Sequence, residues 1–301
     1  MSRFPLEAST KEIRLDRNEC IVPSIINSLL NLAKIDNIDY TQYTSSLSLV
    51  RKLQSIFDCS QTNLYVDNGS EQVIKGLVQT IDCNKWITTS PTFEMFPFYV
   101  RYFKKDLKTI NFTYDSEFKV DLKSNLTDSG LYLVSPHNPT GFTVTHADLL
   151  NLCSCYKYVI LDQAYITPTD ALKLADLPNN LIIVRTFSKM GGLTGMRLGF
   201  CVSRDEGVIL ALNELRPMYL NTITLKLVDT LLENKNLLEE ISIEFSKVRE
   251  LINLPIVSYA GNFVLLKNTP TFKNYPLKKY IIDKKEFYRL TLFDAATFYK
   301  L

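Results

Sequence analysis

The sequence predicts an α/β protein: an open, mainly parallel sheet flanked by helices, joined to a second, smaller α+β domain. Three observations point there. Short apolar runs rich in β-branched and aromatic residues alternate with helical patterns through most of the chain. Glycine, serine and isolated charged residues collect where those runs end. From Pro217 onward the alternation gives way to long amphipathic helices and then a few short strands.

In chain order, the helical segment "VPSIINSLLNLA" near the N-terminus is assigned to the smaller domain. "NLYVD" (63–67), "KWITT" (85–89), "LKTINF" (107–112), "LYLVS" (131–135), "YVILD" (158–162), "LIIVR" (181–185) and "LGFCVS" (198–203) have the apolar character of buried strands. Between the first two, Val73, Ile74, Leu77, Val78 and Ile81 recur at helical spacing after "DNGSE". Thr145 and Asp148 form a capping arrangement that opens "HADLLNLC". "LNTITLKLVDTLLENKNLLEEISIEFSKVRELI" predicts one or two long helices, and "NFVLL" and "FYRLTL" predict short strands after them. The expected division is a large domain over 36–218 and a small, shortened one made of 1–35 and 219–301.

Composition narrows the function. Of 301 residues, 46% are hydrophobic and 22% charged, and a net charge of +2 gives no pull toward nucleic acid or an anionic membrane. No apolar run is long enough to cross a bilayer, and the N-terminus lacks the apolar core of a secretory signal, so a cytoplasmic protein is expected. Six cysteines without CxxC spacing and only two histidines, His137 and His146, supply a metal site poorly; no metal is expected.

In an open α/β sheet, ligands collect beyond the carboxyl ends of the strands. Asp162 closes "YVIL", Ser188 and Lys189 follow "LIIVR", "SPHNPTG" follows "LYLV", and Gly69 and Ser70 stand between "LYVD" and a helix. A buried acid and a buried lysine both shift pKa strongly unless each has a partner, so two of them at neighbouring strand ends suggest a shared ligand. That ligand must take a lysine and a carboxylate, and offer an anion to a helix N-terminus near Ser188 and Arg197. Pyridoxal 5'-phosphate has those three handles in its aldehyde, ring nitrogen and phosphate.

With "SPHNPTG", "LDQAY" and "RTFSKMGGLTGMRLGF" in that order, the sequence from about Leu15 to Arg289 resembles the fold-type I aminotransferases, and within them the histidinol-phosphate aminotransferase-like branch. The resemblance implies a fold-type I transferase in which Lys189 forms the Schiff base with the cofactor and shuttles a proton. Asp162 would keep the pyridine nitrogen protonated, and Asn138 and Tyr165 would hydrogen-bond the cofactor's 3-oxygen. Phe93, in "SPTFEMF", would stack on the ring. Backbone N–H groups of Ser70 and Glu71 would hold the phosphate together with Ser188 and Arg197, and Tyr43 would reach the phosphate of the other subunit of a homodimer. Arg289 would clamp the substrate's α-carboxylate with a two-pronged geometry lysine cannot reproduce, and Asn18 would belong to the substrate site. His137, beside Asn138, is assigned a structural role.

Departures from the family pattern bear on the substrate. The usual "DEAY" is "DQAY", with Gln163 in place of an acid that does not face the ring nitrogen. "NECIVPS" retains Asn18 and Glu19 but lacks the tyrosine and glycine of the "NENPYG" motif. Three readings follow. One is an aminotransferase moving an amino group between an amino donor, phosphorylated or not, and a 2-oxo acid. Another is a decarboxylase of a phospho-amino acid, resembling the threonine-phosphate enzyme. The third is a non-catalytic descendant, against which the joint retention of Lys189, Asp162, Asn138, Tyr165 and Arg197 argues.

Overall fold

Proline at the first helical position lacks only an N–H that would go unbonded there, and "PSIINSLLNLA" accordingly forms α1 (Pro23–Ala33), burying Ile25, Leu29 and Ala33. The computed structural model describes residues 15, 18–20, 22–38, 41–122, 126–170, 172, 174–215, 219–267 and 277–298. After α1 come α2 (Leu47–Phe57), β1 (Leu64–Asp67), α3 (Ser70–Thr80), β2 (Lys85–Ser90), α4 (Met95–Tyr102) and β3 (Asp106–Asn111). Next are β4 (Thr113–Tyr114), β5 (Phe118–Lys119), β6 (Leu126–Val134), α5 (His146–Cys155), β7 (Tyr156–Asp162), β8 (Leu181–Thr186), β9 (Gly199–Ser203) and α6 (Glu206–Leu215). The remainder holds α7 (Thr222–Glu233), α8 (Asn236–Leu251), β10 (Ile256–Ala260), β11 (Phe263–Leu266), β12 (Lys278–Ile282), β13 (Lys285–Thr291) and α9 (Ala295–Phe298).

Seven strands form the main sheet in the order β1-β9-β8-β7-β6-β2-β3. From β8 to β3 every neighbour is parallel, while β9 runs antiparallel to both β8 and β1. Two reversals leave β1 parallel to β8, so the carboxyl ends of β1, β2, β6, β7 and β8 and the amino end of β9 share one edge. All six residues of β8 are buried, as expected of a strand covered on both faces. Truncating Ile183 in its middle to alanine would cost about 2–5 kcal/mol. β3 departs from the expectation of a buried strand: it is the sheet's edge, and its polar residues Asp106, Lys108, Thr109 and Asn111 stand in solvent.

Local signals decide the helix boundaries. α3 buries Val73, Ile74, Leu77 and Val78, whereas Ile81 leaves the helix in an extended conformation. The Thr145 hydroxyl accepts the Asp148 N–H at 3.1 Å and starts α5. The Asn221 side chain accepts from Ile223 and Thr224 N–H at 3.0 and 3.1 Å and starts α7.

A second, antiparallel sheet has the order β10-β11-β13-β12. Its strands β11 and β13 are the two expected; β10 and β12 were not, because each buries a single residue, Ala260 and Ile282, and so shows neither the apolar run nor the alternation of a covered strand. The residue chosen as the boundary, Pro217, lies outside the described residues. Buried side chains of α1, α7 and α8 belong to the same continuous core as Ile183 and Phe200 of the main sheet. We retain the division into 36–218 and 1–35 with 219–301 as a proposal about organisation.

Candidate active site

The shared edge of the main sheet opens into a cavity of about 460 Å³ that is closed on its far side by β12 and β13. Eleven of the twelve residues predicted for the site line it: Asn18, Ser70, Glu71, Phe93, Asn138, Asp162, Tyr165, Ser188, Lys189, Arg197 and Arg289. The twelfth, Tyr43, does not. Its ring is 81% exposed and stacks on Tyr219 at 4.3 Å between centroids.

Asp162 and Lys189 reach the cavity from the adjacent parallel strands β7 and β8. Asp162 is buried, and its Oδ2 accepts the Tyr132 hydroxyl at 2.6 Å while Oδ1 accepts the Ala164 N–H at 3.0 Å. Burial pushes its carboxyl up from 3.8 to about 6, against the lowering effects of those two donors and of the Lys189 charge. Lys189 moves the opposite way, from 10.5 down to about 8, first by burial and then by repulsion from Arg289 and Arg197. Its Nζ donates to the backbone carbonyl of Asn18 at 2.8 Å. Near neutrality both groups still carry their ordinary charges, but burial has weakened the hold on each, so the site asks for a counterpart to both.

One end of the cavity is built for an anion. α3 begins at Ser70 directly after Gly69, so its first N–H groups face outward without helical partners. Gly69 has φ +85°, and a Cβ there would stand 2.9 Å from the Arg197 guanidinium. A Cβ on Gly199 would come within 2.0 Å of the Ser70 nitrogen. Both positions therefore require glycine for the helix start, β9 and Arg197 to approach one another. Arg197 Nη1 donates to Ser188 Oγ at 3.3 Å, and Nη2 lies 4.0 Å from the Glu71 carboxylate, which Tyr99 also engages at 2.8 Å.

The other end gathers Asn138, Tyr165, Arg289 and Asn18. Asn138 donates through Nδ2 to the Tyr165 hydroxyl at 2.5 Å and accepts at Oδ1 from Arg289 Nη1 at 3.0 Å. Arg289 is buried, and Nη1 also donates to the Tyr280 hydroxyl at 3.2 Å. Burial raises the Tyr165 phenol, with Arg289, Asn138 and Asn18 beside it pulling it back. Asn18 sits at φ +59° and is 1% exposed; its amide nitrogen and oxygen complete no hydrogen bond of good geometry among the described residues. An orphaned buried amide at a cavity wall is aimed at a ligand. Phe93 is 37% exposed at the cavity, where an apolar ring gains nothing unless something covers it.

The structure adds residues that sequence reasoning missed. Tyr132, near the carboxyl end of β6, is the hydroxyl donor to Asp162, and Asn262 donates to the Asn18 and Glu19 carbonyls at 3.3 Å. Thr92, Glu94, Lys278 and Tyr280 complete the wall. Only Tyr132 left a signal, a hydroxyl among the apolar residues that end its strand. Gln163 accepts from Arg185 Nε and Nη2 at 3.0 and 2.9 Å, beneath the site rather than in it. His137 is fully buried, with Nδ1 2.8 Å from Thr140 Oγ1 and Nε2 3.0 Å from the Pro91 carbonyl. It ties the loop bearing Asn138 to the loop bearing Phe93.

These residues fit pyridoxal phosphate. A glycine-lined helix start with Ser188 and Arg197 suits its phosphate, a buried carboxylate its ring nitrogen, a low-pKa lysine its aldehyde, and an uncovered phenylalanine its ring face. The family model described as aminotransferase class I and II matches residues 9–257. A histidinol-phosphate aminotransferase of Pyrococcus furiosus is 30% identical over 91% of this chain and 83% of its own length. The crystal structure of a Sinorhizobium meliloti histidinol-phosphate aminotransferase in complex with pyridoxal-5'-phosphate shares the fold, with TM-score 0.77 and 21% identity over 94% of this chain and 86% of that one. So does that of an L-threonine-O-3-phosphate decarboxylase from Porphyromonas gingivalis, with TM-score 0.73 and 16% identity over 95% and 96%. The chain belongs to the class I and II aminotransferases, pyridoxal-phosphate-dependent enzymes of fold type I.

Proposed function

We propose that this aminotransferase transfers the amino group of a primary amino donor, phosphorylated in the manner of histidinol phosphate, to a 2-oxo acid, working as a cytoplasmic homodimer. The observation that carries the reading is the pair Asp162 and Lys189, buried at adjacent strand ends in one cavity whose opposite walls hold an anion cradle and a buried arginine. Bound at the site, pyridoxal phosphate supplies an electron-accepting ring and an aldehyde that exchanges its carbon–nitrogen bond between lysine and donor. Lys189 Nζ, with its lowered pKa, is the base that takes a proton from the donor's Cα and returns it. Asp162, braced by Tyr132 and the Ala164 N–H, keeps a negative charge where a ring nitrogen must stay protonated. Tyr165 and Asn138 offer donors to the 3-oxygen, Phe93 covers one ring face, and the N–H groups of Ser70 and Glu71 with Ser188 and Arg197 take the phosphate. Arg289 and Asn18 orient the donor.

The exposed position of Tyr43 supports its assignment to a partner's site, since it lies outside the cavity of its own chain. Mixing inactive Lys189→Ala chains with impaired Tyr43→Phe chains should restore part of the activity through hybrid dimers. Proven subunit exchange without recovery would remove the shared site. No helix among the described residues is long and apolar enough to cross a membrane.

The test of the reaction is the cofactor spectrum of the purified protein mixed with amino donors. Conversion to the pyridoxamine form, reversed by a 2-oxo acid, is the expected result. Release of carbon dioxide without that conversion would favour the phospho-amino-acid decarboxylase instead.

A further inference from the structure

β12 and β13 pair with Lys278 directly opposite Arg289, and both side chains line the cavity. Cross-strand partners stand about 4.5–5.5 Å apart at Cβ on the same face, and like charges placed so are destabilising. Arg289 is buried, whereas the Lys278 side chain is 47% exposed and stands at the cavity mouth, so the two like charges share one cavity with water on the lysine's side. Tyr280, two residues along β12 and therefore on the same face, accepts from Arg289 and joins the stripe.

Assigning the charged groups of the cavity leaves few free choices. On the reading above, Arg197 serves the phosphate, Asp162 the ring nitrogen and Lys189 the aldehyde. Glu71 is held by Tyr99 and Arg197. Arg289 and Lys278 remain as cations for the substrate. The acid opposing Lys278 is Glu94, at 3.8 Å, on the loop after β2, and its side chain is 86% exposed. A contact that long and that wet contributes little, so a bound anion would displace it readily.

We propose that Arg289 and Lys278 form a two-cation receptor for substrates carrying two negative charges, with Glu94 as the weak counter-ion that Lys278 gives up on binding. The shared chemistry is a second negative charge beyond that of one carboxylate, presented as a distal carboxylate or as a phosphomonoester. The inference rests on the assignment of this cavity as the substrate site.

Equilibrium binding to the pyridoxal-phosphate-loaded enzyme tests it without turnover, with glutarate, n-butyl phosphate and pentanoate as probes. Glutarate or butyl phosphate should bind the wild type at least ten-fold more tightly than pentanoate, and whichever does identifies the source of the second charge. Lys278→Ala should reduce that preference to within two-fold while leaving the pentanoate affinity nearly unchanged. Lys278→Arg should restore it, and Glu94→Gln should tighten the doubly charged probe two- to five-fold. Equal weakening of all three probes by Lys278→Ala, or no preference in the wild type, overturns the receptor. Donor-driven spectral conversion, measured in parallel with L-glutamate and L-norvaline, reports on the transamination reading separately: a preserved binding preference without conversion would count against the reaction and not the receptor.

Discussion

Replacing Asp162 with asparagine should abolish most turnover yet stabilise the cofactor-free protein. The Asp162 carboxyl binds its proton more tightly in the fold than in the unfolded chain, at about 6 against 3.8, because burial penalises the charge. That difference corresponds to roughly 3 kcal/mol. Since the folded value is the higher one, the contribution is fully present below pH 3.8 and is lost as pH rises through about 6. Near neutrality the apoprotein therefore holds an unfavourable buried anion. Asparagine keeps an oxygen for the Ala164 N–H, but its amide donates to the Tyr132 oxygen and leaves the buried Tyr132 O–H without its acceptor, which offsets about 1 kcal/mol of the gain. Thermal unfolding of the apoprotein at pH 7.5 should show a midpoint roughly 3 °C higher for Asp162→Asn than for the wild type. The gap should shrink at pH 4.5. Kinetically, the loss should fall on kcat more than on KM. A variant no more stable than the wild type at pH 7.5, or a gap that does not close on acidification, would refute the reasoning.

Gln163→Glu should raise the unfolding midpoint, by about 1 kcal/mol of added charge-assisted bonding, because it gives the buried Arg185 guanidinium a carboxylate where it now has an amide; an unchanged or lower midpoint would show that Gln163 and the carbonyls of Pro168 and Asp170 already satisfy it. His137 is held neutral by burial, its pKa lowered from 6.5 to about 3, so its contribution is present above 6.5 and lost as pH falls toward 3. His137→Gln should flatten the fall in denaturant midpoint between pH 7 and 4; a slope identical to the wild type would place the acid sensitivity elsewhere.

The main sheet was legible because its signals are local and redundant. "YVILD" and "LIIVR" are too apolar to be anything but covered strands, and the residues that end them are the ones the topology brings to a single edge. The lysine segment named Lys189, Ser188 and Arg197 together since glycine, serine and arginine at that spacing answer one geometric demand, the close approach of β9 to the start of α3. Residues on β12 were invisible for the opposite reason. "KKYII" reads as a solvated segment, and Lys278 and Tyr280 acquire their meaning only from pairing with β13, which no local pattern encodes. Tyr132 and Asn262 act through a hydrogen bond to another site residue, a long-range relation. Tyr43 belongs to neither group: it stacks on Tyr219 outside the cavity, and its assignment to a partner's site stays a proposal.

The central claim is that Lys189 carries the cofactor, and the direct measurement is reduction of the pyridoxal-phosphate-loaded protein with borohydride followed by proteolysis and mass mapping. A single pyridoxyl-lysine at position 189, absent from the Lys189→Ala variant, is the predicted result. A stoichiometric adduct on any other lysine would contradict the account.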